Sequence, residues 1–169
     1  MIKKIIITFL FLIFLINNVQ AEMPLSTDIK VYDYEVVNTF SHDRNAFTQG
    51  LSYHNGYLYE GTGLNGHSSL RKRDLKSGEI IRFHKLDKKF FGEGISILND
   101  KIYQLTWKAE TVFVYNTKFE LIDKFNYEGE GWGLSNNAKD LIMSNGSSKI
   151  YFIDPSNFEI KKTINVTIN

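Results

Sequence analysis

From Val31 onward, short apolar and aromatic runs alternate with turn residues at close intervals. Tyr57-Leu58-Tyr59 follows Asn55-Gly56, a pair suited to the positive backbone angles of a two-residue hairpin. Lys101–Thr106 follows Asn99-Asp100, and Asp140–Met143 follows Asn136-Asn137. Glu79–Phe83 stands behind Ser77-Gly78, and Ile150–Ile153 runs into Asp154-Pro155. Beyond residue 21, no unbroken stretch of a dozen residues repeats its apolar positions with helical period. The pattern predicts an all-β chain.

The strand pattern is itself repeated. Phe47-Thr48-Gln49-Gly50-Leu51, Phe91-Gly92-Glu93-Gly94-Ile95 and Glu130-Gly131-Trp132-Gly133-Leu134 superpose, with their second glycines 44 and 39 residues apart. Nine residues after each comes another strand position: Tyr59, Tyr103 and Ile142. Units of about 40 residues with four strands each match the period of a β-propeller blade. Three such units are present, and Val31–Val37 is expected to add an outer strand to another blade. Three blades do not close a ring, so self-association through open blade edges is expected.

The first residues carry a different pattern. Lys3 and Lys4 precede Ile5–Ile16, which is apolar except at Thr8, and Val19-Gln20-Ala21 follows. This is the layout of a secretory signal peptide over 1–21, too short in its apolar run for a stable membrane anchor. Cleavage would leave 22–169 as one partial propeller domain, exported to a periplasm or secreted. It would also remove Lys3 and Lys4, taking the formal charge from +1 to −1.

Composition narrows the chemistry. The near-neutral charge argues against a nucleic-acid partner. With no cysteine there is no disulfide, thiol nucleophile or thiolate metal site. His42, His54, His67 and His84 lack metal-ligand spacing, so neither a metal nor a cofactor is expected. Arg71-Lys72-Arg73 with Lys85, Lys88 and Lys89 is interleaved with acids and reads as a solvated blade edge.

Equivalent positions of the inner strands converge on a propeller axis. Gln49, Glu93 and Trp132 each precede a repeat glycine, and Phe47, Phe91 and Glu130 lie two residues earlier. Trp107 takes the place that Gly63 and Gly146 fill in the other units. The repeat thus predicts an aromatic cluster holding one or two carboxylates. Among rings a carboxylate loses hydration and its pKa rises toward the range useful for proton transfer. Glu93 is the candidate, the alternative being a polar residue that bonds neighbouring strand backbones.

Several of these segments, in order, resemble the plant-type glutaminyl-peptide cyclotransferases (glutamine cyclotransferases). They are His42-Asp43-Arg44-Asn45-Ala46-Phe47-Thr48-Gln49-Gly50-Leu51, Tyr59-Glu60-Gly61-Thr62-Gly63 and Phe91-Gly92-Glu93-Gly94-Ile95. Tyr103-Gln104-Leu105-Thr106-Trp107, Gly131-Trp132-Gly133-Leu134 and Ser144-Asn145-Gly146-Ser147 continue the likeness, which runs from about Tyr34 to Val166. The resemblance implies a five-bladed propeller that converts the N-terminal glutamine of a peptide to pyroglutamate with release of ammonia. By motif position Glu93 would shuttle the proton, Phe47 and Gln49 would contact substrate, and Trp107 and Trp132 would wall the pocket. The family's remaining site residues, an asparagine, a tryptophan and a lysine, would lie on blades beyond Asn169, so impaired turnover is expected of these 169 residues. Two other readings stay open: an inactive exported fragment or peptide-binding module, and a glycosidase using Glu93 with Glu130.

Overall fold

The computed structural model describes residues 31–167. The chain divides into two units, Met1–Val37 and Asn38–Asn169. The signal peptide expected over 1–21 lies outside the described residues. In the first unit, 31–37 form no strand and are exposed, Val31 at 90% and Tyr34 at 91%. The outer strand expected at Val31–Val37 is therefore not formed. A strand exists only through paired backbone groups, and these residues have no such pairing.

The second unit holds twelve strands in three four-stranded antiparallel sheets, with no helix among the described residues. The first sheet is β1 (Thr48–His54), β2 (Tyr57–Thr62), β3 (Ser69–Asp74) and β4 (Ile80–Lys85). The second is β5 (Gly92–Leu98), β6 (Lys101–Thr106), β7 (Thr111–Asn116) and β8 (Leu121–Asn126). The third is β9 (Leu134–Asn136), β10 (Leu141–Ser144), β11 (Lys149–Ile153) and β12 (Ile160–Asn165). Each sheet is a meander in sequence order. The hairpin at Asn55-Gly56 has φ of 48° and 85°, the positive pair that Asn-Gly supplies at little cost.

The three sheets are repeats of one blade. Ser52 pairs with Tyr59, Ser96 with Tyr103 and Ser135 with Ile142, so the ninth-residue spacing marks one ladder position in all three. Gly63 N–H donates to Phe47 O at 2.8 Å, and Trp107 N–H donates to Phe91 O at 2.9 Å, the same bond in successive blades.

The repeat glycines have a packing reason. The inner strands β1, β5 and β9 lie side by side. A Cβ on Gly50 would sit 2.5 Å from Ile95 N, and one on Gly94 would sit 2.5 Å from Trp132 O. Any side chain there would push neighbouring blades apart.

The core lies between blades. Tyr59, Leu70 and Leu86 of the first pack on Ile95, Ile97, Ile102, Phe113 and Tyr115 of the second. On the second blade's other face, Tyr103, Leu105, Val112 and Val114 pack on Leu141, Met143 and Ile153 of the third. Successive side chains of β6 and β7 thus go to opposite cores, as the two-residue strand period requires. Each fully buried aliphatic chain contributes roughly 1.5–3 kcal/mol.

The solvated blade edge expected at Arg71-Lys72-Arg73 holds only in part. Lys85, Lys88 and Lys89 are exposed, but Arg73 is 6% exposed and Arg71 half-buried. Strand alternation turns both guanidiniums to the face of β3 that meets Glu60, while Lys72 stacks on Tyr57 with Nζ 3.8 Å from the ring centre.

Candidate functional site

The starts of the three inner strands frame a cleft of about 450 Å³ lined by Gln49, Phe91, Glu93, Trp107, Trp132 and Gly133. Two register breaks aim its polar groups. In β1 the ladder slips by one residue between Thr48 and Gly50, at Gln49. In β5 it slips between Gly92 and Ile95, across Glu93 and Gly94. An extra residue in one strand kinks it and re-aims its side chain. Here both bulges turn a polar side chain into the same cleft.

Glu93 is 9% exposed. Gln49 Nε2 donates to its Oε2 at 3.0 Å. Burial raises its pKa, the Gln49 bond opposes the rise, and the charge of Glu130 adds to it, leaving the group at about 7. At neutral pH such a carboxyl can both accept and return a proton. The carboxylate of Glu93 meets a glutamine side chain of the neighbouring blade rather than strand backbone.

The aromatic wall is built in layers. Phe91 and Trp107 meet edge to face, ring centres 5.6 Å apart. Trp132 is fixed by its backbone: its N–H donates to Ser144 O at 3.0 Å, and its O accepts from Gly94 N–H at 2.8 Å. Its ring rests against Gly146, where φ is 79° and a Cβ would sit 2.6 Å from the indole. Phe47 does not line this cleft. It is 49% exposed and stands behind Phe91, ring centres 6.1 Å apart at 87°. Phe91, its equivalent in the next blade, is the phenylalanine at the cleft. The repeat flagged both positions, and only the arrangement of the blades separates them.

Glu130 is not free in the cleft. Its Oε2 accepts Trp107 Nε1–H at 2.6 Å and Trp132 Nε1–H at 2.9 Å, and Lys108 Nζ lies 3.6 Å from Oε1. The Trp132 and Trp107 bonds hold its pKa below the ordinary value.

A family model described as glutamine cyclotransferase matches residues 7–169. The chain belongs to the glutamine cyclotransferase family. Its segment of 134 residues is 39% identical to a glutaminyl-peptide cyclotransferase of Arabidopsis thaliana, covering 78% of this chain and 42% of the plant protein. The crystal structure of Myxococcus xanthus glutaminyl cyclase superposes with a TM-score of 0.72 at 31% identity. That match covers 79% of this chain and 56% of the bacterial one. The chain thus spans about half the length of these relatives. The WD40 domain of Neurospora crassa Pan2, at TM-score 0.59 and 14% identity, shares the blade fold alone.

Proposed function

We propose that this cyclotransferase-family chain carries the proton-transfer part of a site that cyclises N-terminal glutamine. The observation that carries the reading is Glu93, buried in an aromatic cleft with a pKa of about 7. In the proposed reaction the substrate's α-amine attacks its own side-chain amide carbon, forming the ring C–N bond. Glu93 takes the proton from that amine and returns it to the amide nitrogen. The old C–N bond then breaks, and ammonia leaves. Gln49 orients the Glu93 carboxyl, while Phe91, Trp107 and Trp132 keep water from the attacking amine. Phe47 would act through Phe91.

The test is ammonia release from an N-terminal glutaminyl peptide, measured with this segment joined to the remaining blades of its bacterial relative. Glu93→Gln keeps shape and hydrogen bonding but removes the proton acceptor, so turnover should fall about 10²–10⁴-fold. A wild-type rate in that variant would end the assignment. A chain that binds the peptide without releasing ammonia would favour the second reading, a peptide-binding module. The glycosidase reading is disfavoured, since Glu130 already serves two indoles.

Export and self-association belong to the same proposal. Export rests on Lys3, Lys4, Ile5–Ile16 and Ala21, and sequencing of the exported protein should begin at Glu22. Self-association is supported by Leu51, Tyr53 and Phe83, each more than half exposed, and sedimentation of a lone monomer would refute it.

A further inference from the structure

We propose that Glu130 is a positioning residue, a single carboxylate that clamps both tryptophans of the cleft and so fixes the aromatic wall opposite Glu93. The two indoles come from different blades: Trp107 follows β6, and Trp132 precedes β9. One oxygen of Glu130 receives both ring N–H groups, at 2.6 and 2.9 Å. Bonds to an ionised acceptor are about twice as strong as neutral ones. The backbone is stitched at the same point, Gly131 N–H donating to Trp107 O at 3.0 Å.

Trp132 needs such a tie. It is 47% exposed, and against its ring face lies Gly146, which offers no side chain to hold it. Without Glu130 both indole N–H groups would turn to water, and the wall would lose its fixed spacing. The clamp itself does not depend on the cyclotransferase reading; its consequence for turnover does.

The chain contains two tryptophans, and both are in this clamp. Intrinsic tryptophan emission of the 169-residue chain therefore reports on it directly. In Glu130→Ala the emission should move to longer wavelength and quenching by acrylamide should increase, with the far-ultraviolet circular dichroism unchanged. Glu130→Gln, which keeps an acceptor oxygen without the charge, should restore part of the change. A folded Glu130→Ala variant with wild-type emission and quenching overturns the clamp. Should that variant fail to fold, the wild-type chain decides. Both indole N–H protons should exchange with solvent more slowly than a free indole, and exchange at the free rate overturns the proposal.

Turnover separates this from the functional reading. In the blade-completed enzyme, Glu130→Ala should lower kcat/KM for a glutaminyl peptide about tenfold to a hundredfold through misplacement of the wall. Glu93→Gln should lower turnover about 10²–10⁴-fold with emission intact. Absence of turnover in every form refutes the cyclotransferase reading and leaves the emission result, and hence the clamp, standing.

Discussion

Two buried glutamates in adjoining blades have been given opposite characters. Glu60, on β2, is 0% exposed and accepts hydrogen bonds from Thr48 Oγ1 at 2.6 Å, His42 Nε2 at 2.7 Å and Arg73 at 3.1 Å. Burial alone would raise its pKa, but the Thr48 and His42 bonds and the nearby charges outweigh that and hold it below the ordinary value. Glu93 is nearly as buried, has one bond from Gln49, and rises to about 7. Burial is common to both. Compensation differs: a fully partnered carboxylate ties the 38–47 segment to the first blade, and an under-partnered one is left able to move a proton.

The largest effect should come from breaking the compensated site. Glu60→Ala leaves Arg73, 6% exposed, as a buried charge without its partner. Such a loss costs about 3–5 kcal/mol. Because the folded pKa of Glu60 lies below 4.5, its stabilisation is present above that pH and is lost as pH falls through the folded value. Urea unfolding at pH 7 should show a much lower midpoint for the variant, and acidification should narrow the gap. Equal midpoints at pH 7 would mean that Glu60 holds nothing together.

Glu93→Gln should do the reverse. The folded group binds its proton more tightly than the unfolded one, so stability falls as pH rises from 4.5 to about 7. Replacing it should gain on the order of 3 kcal/mol at pH 8, at 1.36 kcal/mol per pKa unit, and nothing at pH 4. A gain equal at both pH values would point to packing rather than charge. On the proposed reading, the variant loses turnover while it gains stability.

The contrast was half legible in the sequence. Glu93, Gln49, Trp107 and Trp132 stood at repeat positions, and repeat positions converge because blades are copies. That logic cannot see register. Glu60 lay in a visible motif, but nothing marked its partners, which come from β1, β3 and the segment before β1. Pairing Glu60 with Arg71 across β2 and β3 requires the ladder. The bulges at Gln49 and Glu93 were hidden for the same reason, since an extra residue shows only against a partner strand. The doubled role of Glu130 depends on two rings whose N–H groups meet in space. Val31–Val37 reads as an outer strand in the sequence, yet 31–37 carry no strand in the structure.

The finest test lies in two adjacent residues of β1. Thr48 donates to Glu60 and Gln49 donates to Glu93, the bulge at Gln49 sending one side chain to each carboxylate. Thr48→Val keeps the shape and removes one hydrogen bond to a charged acceptor, about 1.5–3 kcal/mol at neutral pH. His42 shares the same oxygen, so it cannot take over the vacated direction without moving. The pKa of Glu60 should climb toward its ordinary value, and acid destabilisation should begin at higher pH than in the wild type. Gln49→Leu should act through the other carboxylate. It removes the one bond that opposes burial, so Glu93 should titrate above about 7, and the pH profile of turnover should move to higher pH. Nuclear magnetic resonance titration of the two carboxyls reads both changes in one sample. Each substitution should move its own glutamate and leave the other where it was. If Thr48→Val shifted Glu93, or Gln49→Leu shifted Glu60, the two carboxylates would form one coupled network, and the division between a structural and a reactive glutamate would fail.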